Sequence, residues 1–267
     1  MNNILKQIIE KKKEKIKFSK NLFTENALLE NIKNVKNFSD FKSKIKKRDS
    51  QKKVSIIAEI KRASPSAGEI VKNYNPLDIA KIYIENGASC LSVLSEEDFF
   101  LGKLDHIKVI KNNYDIPILC KDFFIDTYQV SLAKSFGADC ILIILSAVDK
   151  VLANDLYQAA NDLNMSSLVE VHSKDEAENA LFFENALIGI NNRDLKTLDI
   201  SLNTTVKLSE ILRTHKNPLI SESGISSAKD IQFIIKNSKI NNFLIGESLL
   251  KSTDIGQKLN QLTQITL

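Results

Sequence analysis

An alternation that begins at Val54 and runs almost to the last residue constrains this chain more than any other feature. Short apolar, β-branched runs occupy residues 54–61, 90–95, 116–122, 140–146, 168–172, 187–192, 218–223 and 242–247. Runs of this length read as buried strands. Between them, residues 77–86, 125–136, 151–163, 174–183, 204–215 and 228–235 carry apolar side chains at helical spacing. Strand and helix in strict alternation imply parallel strands joined by crossover helices. About eight such units predict a closed (β/α)8 barrel rather than an open doubly wound sheet. Two helices hand over to the next strand through Gly87 and Gly137, which suit a left-handed C-cap. The first strand–helix connection, Ser64-Pro65-Ser66-Ala67-Gly68, lacks the Gly-x-Gly-x-x-Gly spacing of a dinucleotide site.

Residues 1–50 differ from this pattern. Ile4, Leu5, Ile8, Ile9 and Ile16 recur at near-helical spacing among lysines, and Leu22, Phe23, Leu28, Leu29 and Ile32 continue more loosely. They predict a helical N-terminal extension packed on a barrel formed by residues 51–267, with the lysines of 11–17 on a solvated face. Much of the net charge of +4 lies in this extension, so neither a nucleic-acid surface nor a membrane surface is expected. No apolar run approaches the ~20 residues of a membrane span. Cys90, Cys120 and Cys140 sit singly in apolar runs with no metal-ligand spacing, which predicts buried thiols in a cytoplasmic protein and no metal.

In a barrel of this kind the reactive face lies at the C-terminal ends of the strands, and here those ends turn polar. The runs finish in Glu59-Ile60-Lys61, Ser95-Glu96-Glu97, Lys121-Asp122, Glu170-Val171-His172, Asn191-Asn192-Arg193-Asp194, Glu222-Ser223-Gly224 and Gly246-Glu247-Ser248. The fourth, ending Leu145-Ser146, offers an apolar wall instead. Glu59 and Lys61 are two apart and share one strand face; alone they could be a buried structural pair. Acids and bases converging from several strands have no such structural need. Held together in a partly dry pocket, carboxylates and ammonium groups can have their pKa values driven apart, providing an acid and a base at neutral pH. His172 shares a face with Glu170 and is assigned a supporting place at the pocket edge. The glycine-bearing turns after the seventh and eighth strands are the expected phosphate position.

The same residues resemble the indole-3-glycerol-phosphate synthase family. The motifs are Glu59-Ile60-Lys61-Arg62-Ala63-Ser64-Pro65-Ser66, Leu91 to Leu94 with Glu96 to Gly102, Cys120-Lys121-Asp122-Phe123 and Leu168-Val169-Glu170-Val171-His172. They continue in Gly189-Ile190-Asn191-Asn192-Arg193-Asp194-Leu195, Glu222-Ser223-Gly224-Ile225 and Ile245-Gly246-Glu247-Ser248-Leu249. All stand in family order, and Ala67 departs from a lysine common there.

The resemblance implies closure of 1-(2-carboxyphenylamino)-1-deoxyribulose 5-phosphate to indole-3-glycerol phosphate, with loss of carbon dioxide and water and no cofactor. It implies Lys121 as acid in closure and Glu170 in the dehydration. Lys61 would hold the substrate carboxylate or phosphate, or act as the dehydration acid. Glu59 and Asn191 would position these groups, and Ser223 would support the hydroxyls and the phosphate end. Ser64, Gly224, Gly246 and the Glu247 amide would take the phosphate, while Phe100 and Leu142 would wall the aromatic ring. Arg62 and Arg193 would contact or shape the anionic ends, and Glu222 joins the binding set. The expected partner is a small anionic phosphosugar met by a monomer. Two other readings use the same residues: a phosphosugar aldolase with Lys121 as Schiff-base nucleophile, and a non-catalytic anion or nucleic-acid binder.

Overall fold

Eight parallel strands pair in chain order and close into a barrel in this computed structural model, which describes residues 4–35, 38–195 and 197–265. The strands are β1 (Ser55–Ile60), β2 (Cys90–Leu94), β3 (Ile118–Lys121), β4 (Cys140–Ile144), β5 (Ser166–Val171), β6 (Leu187–Asn191), β7 (Leu219–Glu222) and β8 (Asn242–Ile245). β8 returns to pair with β1, aligning Ile57 with Leu244.

Side chains along each strand alternate between two apolar layers, as the two-residue period requires. Ile56, Ala58, Ile60, Ile141, Ile143, Val169 and Val171 face the surrounding helices. Ile57, Leu119, Leu142, Leu168, Ile220 and Leu244 fill the barrel interior. Both layers are dry, so the strands read as continuous apolar runs rather than alternating ones.

Three helices precede the barrel: α1 (Ile4–Leu22), α2 (Glu25–Asn34) and α3 (Phe41–Ser50). α3 plugs the end where the strands start. Its Phe41 and Ile45 belong to the interior cluster. The Lys42 amide donates to Ser166 Oγ at 3.1 Å, and Asn242 Nδ2 donates to Asp49 Oδ1 at 3.0 Å, tying the helix to the first residues of β5 and β8.

α1 lies at the opposite end, over the strand C-termini. Its lysine run is not uniformly solvated. Ile8, Lys12 and Ile16 are spaced by four and are all buried on one helix face. Lys12 Nζ meets Asp122 Oδ1 at 2.6 Å, and Lys15 pairs with Asp98 at 3.1 Å and also with Glu97. The lysine tally anticipated a solvated face because it could not weigh the partners waiting after β2 and β3.

The crossover helices include α4 (Pro76–Glu85), α5 (Leu104–Asn113), α6 (Tyr128–Ser135), α7 (Lys150–Asp162), α8 (Lys174–Ala180), α9 (Asn203–Ile211) and α10 (Ala228–Ser238). Asn75, Asp149, Ser173 and Ser227 cap α4, α7, α8 and α10 through their side chains. α5 has no side-chain cap bond, and Val109 on it is exposed, so its periodicity is weak in the sequence. A short turn of helix, α11 (Glu247–Leu250), follows β8 directly, and α12 (Ile255–Thr263) covers the seam near α4.

Candidate active site

Climbing the barrel interior by one side-chain step changes its chemistry. Above Ile57 stands Glu59, above Leu119 Lys121, above Leu168 Glu170 and above Ile220 Glu222. On β6 the same ascent runs from Leu187 through Gly189 to Asn191. These polar groups converge on a cavity of about 420 Å³ at the strand C-termini.

Lys121 is the hub. Its Nζ donates to Glu222 Oε2 at 2.7 Å and to Glu170 Oε2 at 3.0 Å. Burial alone would lower its pKa, but the charges of Glu170, Glu222 and Glu59 outweigh that and hold the ammonium form well above its usual range. The two carboxylates part company. Burial would raise both; Lys121 and the hydrogen bond from His172 drive Glu170 strongly down. For Glu222, burial and repulsion from Glu170 prevail over Lys121 and push its pKa up to about 7. Among the described residues, its second oxygen, Oε1, is buried without a hydrogen-bond partner.

Glu170 is held from three sides, because Asn191 Nδ2 also donates to Oε1 at 3.2 Å and His172 Nε2 lies 3.1 Å from the same oxygen. Glu59 and Lys61 form a separate pair at 2.6 Å, also nearly buried. Two glycines leave room for these carboxylates. A β-carbon on Gly189 would overlap Glu222 Oε1, and one on Gly246 would stand 2.5 Å from Glu59 Oε1.

Aromatic and aliphatic walls complete the cavity. Phe100, Phe123, Leu142 and Ile144 line it from the barrel, and Ile4, Leu5 and Ile8 line it from α1. Phe100 is held in place by Glu96, whose buried carboxylate accepts the amides of Asp98, Phe99 and Phe100. On the other side, Ser223 and Gly224 turn in the left-handed region at φ 65° and 77°. Together with Ser64, Gly246 and Glu247 they form the rim opposite the aromatic wall.

A family model described as indole-3-glycerol phosphate synthase matches residues 5–262. The chain belongs to the indole-3-glycerol phosphate synthase family. A synthase of this name from Legionella pneumophila (strain Lens) is 41% identical over 98% of this chain and 99% of its own. The one from Alkaliphilus metalliredigens is 40% identical, over 97% of each. Among solved structures, the tryptophan synthase alpha chain of Legionella pneumophila superposes with a TM-score of 0.63 at 13% identity, covering 85% of this chain and 97% of that one. A 3-hexulose-6-phosphate synthase gives 0.60 at 14%, over 78% and 98%. At such identities these structures speak for the barrel alone.

Of the residues that the sequence of this synthase-family member pointed to, Glu59, Lys61, Ser64, Phe100, Lys121, Leu142, Glu170, Asn191, Arg193, Glu222, Ser223, Gly224, Gly246 and Glu247 all line the cavity. Arg62 does not. It is half-exposed and pairs with Glu69 at 2.9 Å across the small hairpin of Ala63–Ser64 and Gly68–Glu69. The end of β2 contributes structure rather than charge: Glu96 braces its loop, and Ser95 donates to Asp122 Oδ2 at 2.7 Å. Glu247 spends its side chain on Lys251 at 2.6 Å and faces Arg193 at 3.8 Å. Gly189 and the α1 residues escaped the sequence reading. An interior glycine between two site residues was the only available signal for the former. Nothing local marked the latter.

Proposed function

We propose that this cavity closes the ring of 1-(2-carboxyphenylamino)-1-deoxyribulose 5-phosphate to give indole-3-glycerol phosphate, as a carboxy-lyase of tryptophan biosynthesis working in the cytoplasm. The observation that carries it is Lys121 fixed as an ammonium ion between Glu170 and Glu222, with an apolar wall on one side and a glycine-rich rim on the other. Closure needs a proton on the ketone oxygen as the aromatic carbon attacks, and Lys121 supplies it. Loss of carbon dioxide then leaves a hydroxylated ring. Glu170 serves its dehydration, handing a proton to the departing hydroxyl and taking one from carbon as the ring becomes aromatic. Lys61, paired with Glu59 at 2.6 Å, holds the substrate carboxylate. Asn191 fixes Glu170, and Ser223 bonds the substrate hydroxyls. The phosphate rests against Ser64, Gly224, Gly246 and the Glu247 amide, while the anthranilate ring lies on Phe100 and Leu142. Arg193 shapes the phosphate end, and Glu222 sets the field at Lys121.

A Schiff base at Lys121 would need the neutral amine, which two carboxylates at hydrogen-bond distance disfavour. The test is direct: the purified protein, given the carboxyphenylamino substrate and nothing else, should develop indole fluorescence. A folded sample that stays dark would refute the proposal.

A further inference from the structure

The proposed reaction does not balance in protons within the groups assigned so far. The substrate enters as a carboxylate and loses that group as neutral carbon dioxide, so each turnover consumes one proton. Two protons are given, one to the ketone oxygen and one to the departing hydroxyl, and only one is recovered from carbon. Lys121 provides the first and regains the recovered one through Glu170. The second requires an acid that solvent recharges; Lys61 and Glu222 stand in the cavity, and a further candidate lies outside it.

Behind Glu170, away from Lys121, lies a second line of contacts. His172 Nε2 stands 3.1 Å from Glu170 Oε1, and His172 Nδ1 stands 3.2 Å from Glu176 Oε2 on the first turn of α8. Glu176 also accepts the His172 backbone amide at 2.8 Å and is itself anchored by the Ser173 cap. The imidazole side chain is 10% exposed and that of Glu176 is 21% exposed. The ring is thus hydrogen-bonded to Glu176 through Nδ1, while Nε2, within ion-pair distance of the Glu170 carboxylate, has no aligned hydrogen bond among the described residues.

We propose, on the footing of the ring-closure reading above, that His172 is the proton store of the site, recharged from solvent once per turnover. The step balances as follows. The Nε2–H bond of the imidazolium breaks and an O–H bond forms on Glu170, cancelling one positive and one negative charge. Glu170 then protonates the leaving hydroxyl, which departs as water. It takes the proton released from carbon and returns that proton to the neutral Lys121 amine. The neutral imidazole regains its proton from water after product leaves. Timing is built into the contacts: while Lys121 is charged it keeps Glu170 ionised, and once Lys121 has given up its proton Glu170 becomes basic enough to draw on His172. Burial opposes a charge on the ring, but the two flanking carboxylates hold its pKa up at about 10, so the store is full at neutral pH.

Two substitutions test this in the full-length protein. His172→Gln keeps a side-chain bond to Glu170 but holds no proton to give, and His172→Ala opens space for a small acid. Each is expected to lower kcat about 10-fold or more with KM little changed. Millimolar imidazole at pH 7 should restore His172→Ala in a saturable way. A His172→Gln enzyme with the kcat of the parent would show that a hydrogen-bonding strut suffices, and the store would be overturned. So would an alanine variant that folds, is slow and ignores imidazole. Should the alanine variant unfold, the glutamine variant decides alone. An unsubstituted enzyme that makes no indole product would instead remove the ring-closure reading, which is a different result from an active parent with indifferent variants.

Discussion

Lys121 keeps its charge because two carboxylates surround it, and each carboxylate is itself shaped by that contact. Truncating the lysine therefore removes the proposed proton donor and leaves Glu170 and Glu222 facing each other in a dry space. Lys121→Ala and Glu170→Gln are each expected to lower turnover by roughly 10²-fold or more, the scale of general acid–base catalysis. Steady-state rates near the parent value would take that residue out of the mechanism. His172 lends itself to a stability measurement as well. Its folded pKa of about 10 lies above the ordinary 6.5. The stabilisation it brings is full below pH 6.5 and drains away as pH rises through about 10. Melting temperature should accordingly fall across that window, and His172→Gln should flatten the slope; equal slopes would contradict the pairing. At this scale the sequence was informative wherever chemistry alternates with period two. Glu59, Lys121, Glu170 and Glu222 each sit two residues beyond an interior apolar residue, so facing inward followed from spacing alone. Arg62 fell out because its neighbour Glu69 arrives through a hairpin that spacing does not reveal. The clash that keeps residue 189 a glycine involves a side chain 33 positions away, Glu222.

α1 is attached to the barrel mouth by charge as well as by apolar packing. Lys12 and Asp122 are about as buried as the core, with side-chain exposures of 8% and 9%. Asp122 also accepts from Ser95 Oγ and from the Phe123 amide, each at 2.7 Å. Lys12→Ala leaves that carboxylate buried with its hydrogen bonds but without its countercharge. The expected cost is about 3 kcal/mol, the low end for breaking a buried pair, read as a lower midpoint in urea unfolding. Because Ile4, Leu5 and Ile8 wall the cavity, KM should rise in the same variant. A change of stability without a change of KM would mean that α1 holds the fold but not the substrate. Helical periodicity made the extension recognisable, but Lys12 was expected on the solvated face with the other lysines of 11–17, although it lies four residues from both Ile8 and Ile16 on the buried stripe. What periodicity could not supply was Asp122, brought to that stripe only by closure of the barrel. The same limit hid the plug: Phe41 and Ile45 look like any helical pair until β5 and β8 converge on them.

Over the whole molecule, the site exists only as a consequence of ring closure. Its groups come from β1, β3, β5, β6 and β7, and the rim from the connections after β1, β7 and β8, so no contiguous part of the chain holds the site together. Eight alternating units sufficed to predict the closed topology, because that number of strand–helix repeats matches a closed (β/α)8 barrel. Which polar ends would meet, and which would brace loops, depended on register. Ligand binding should therefore be coupled to unfolding of the entire barrel. Indole-3-glycerol phosphate at 100 times its Kd should add about 2.7 kcal/mol to the unfolding free energy. For a chain of this size that raises the melting temperature by roughly 5–10 °C. Gly224 tests where the phosphate end lies. Its φ of 77° is in the left-handed region, and an added β-carbon would run into Ile200. Gly224→Ala therefore displaces the β7 turn while leaving the hydrogen bonds between strands in place. The variant should keep most of the parent's melting temperature without ligand and lose most of the ligand-induced rise. If it melts like the parent and responds to the product to the same degree, the phosphate is bound away from this turn, and the assignment of the rim fails even though that of the acid–base cluster stands.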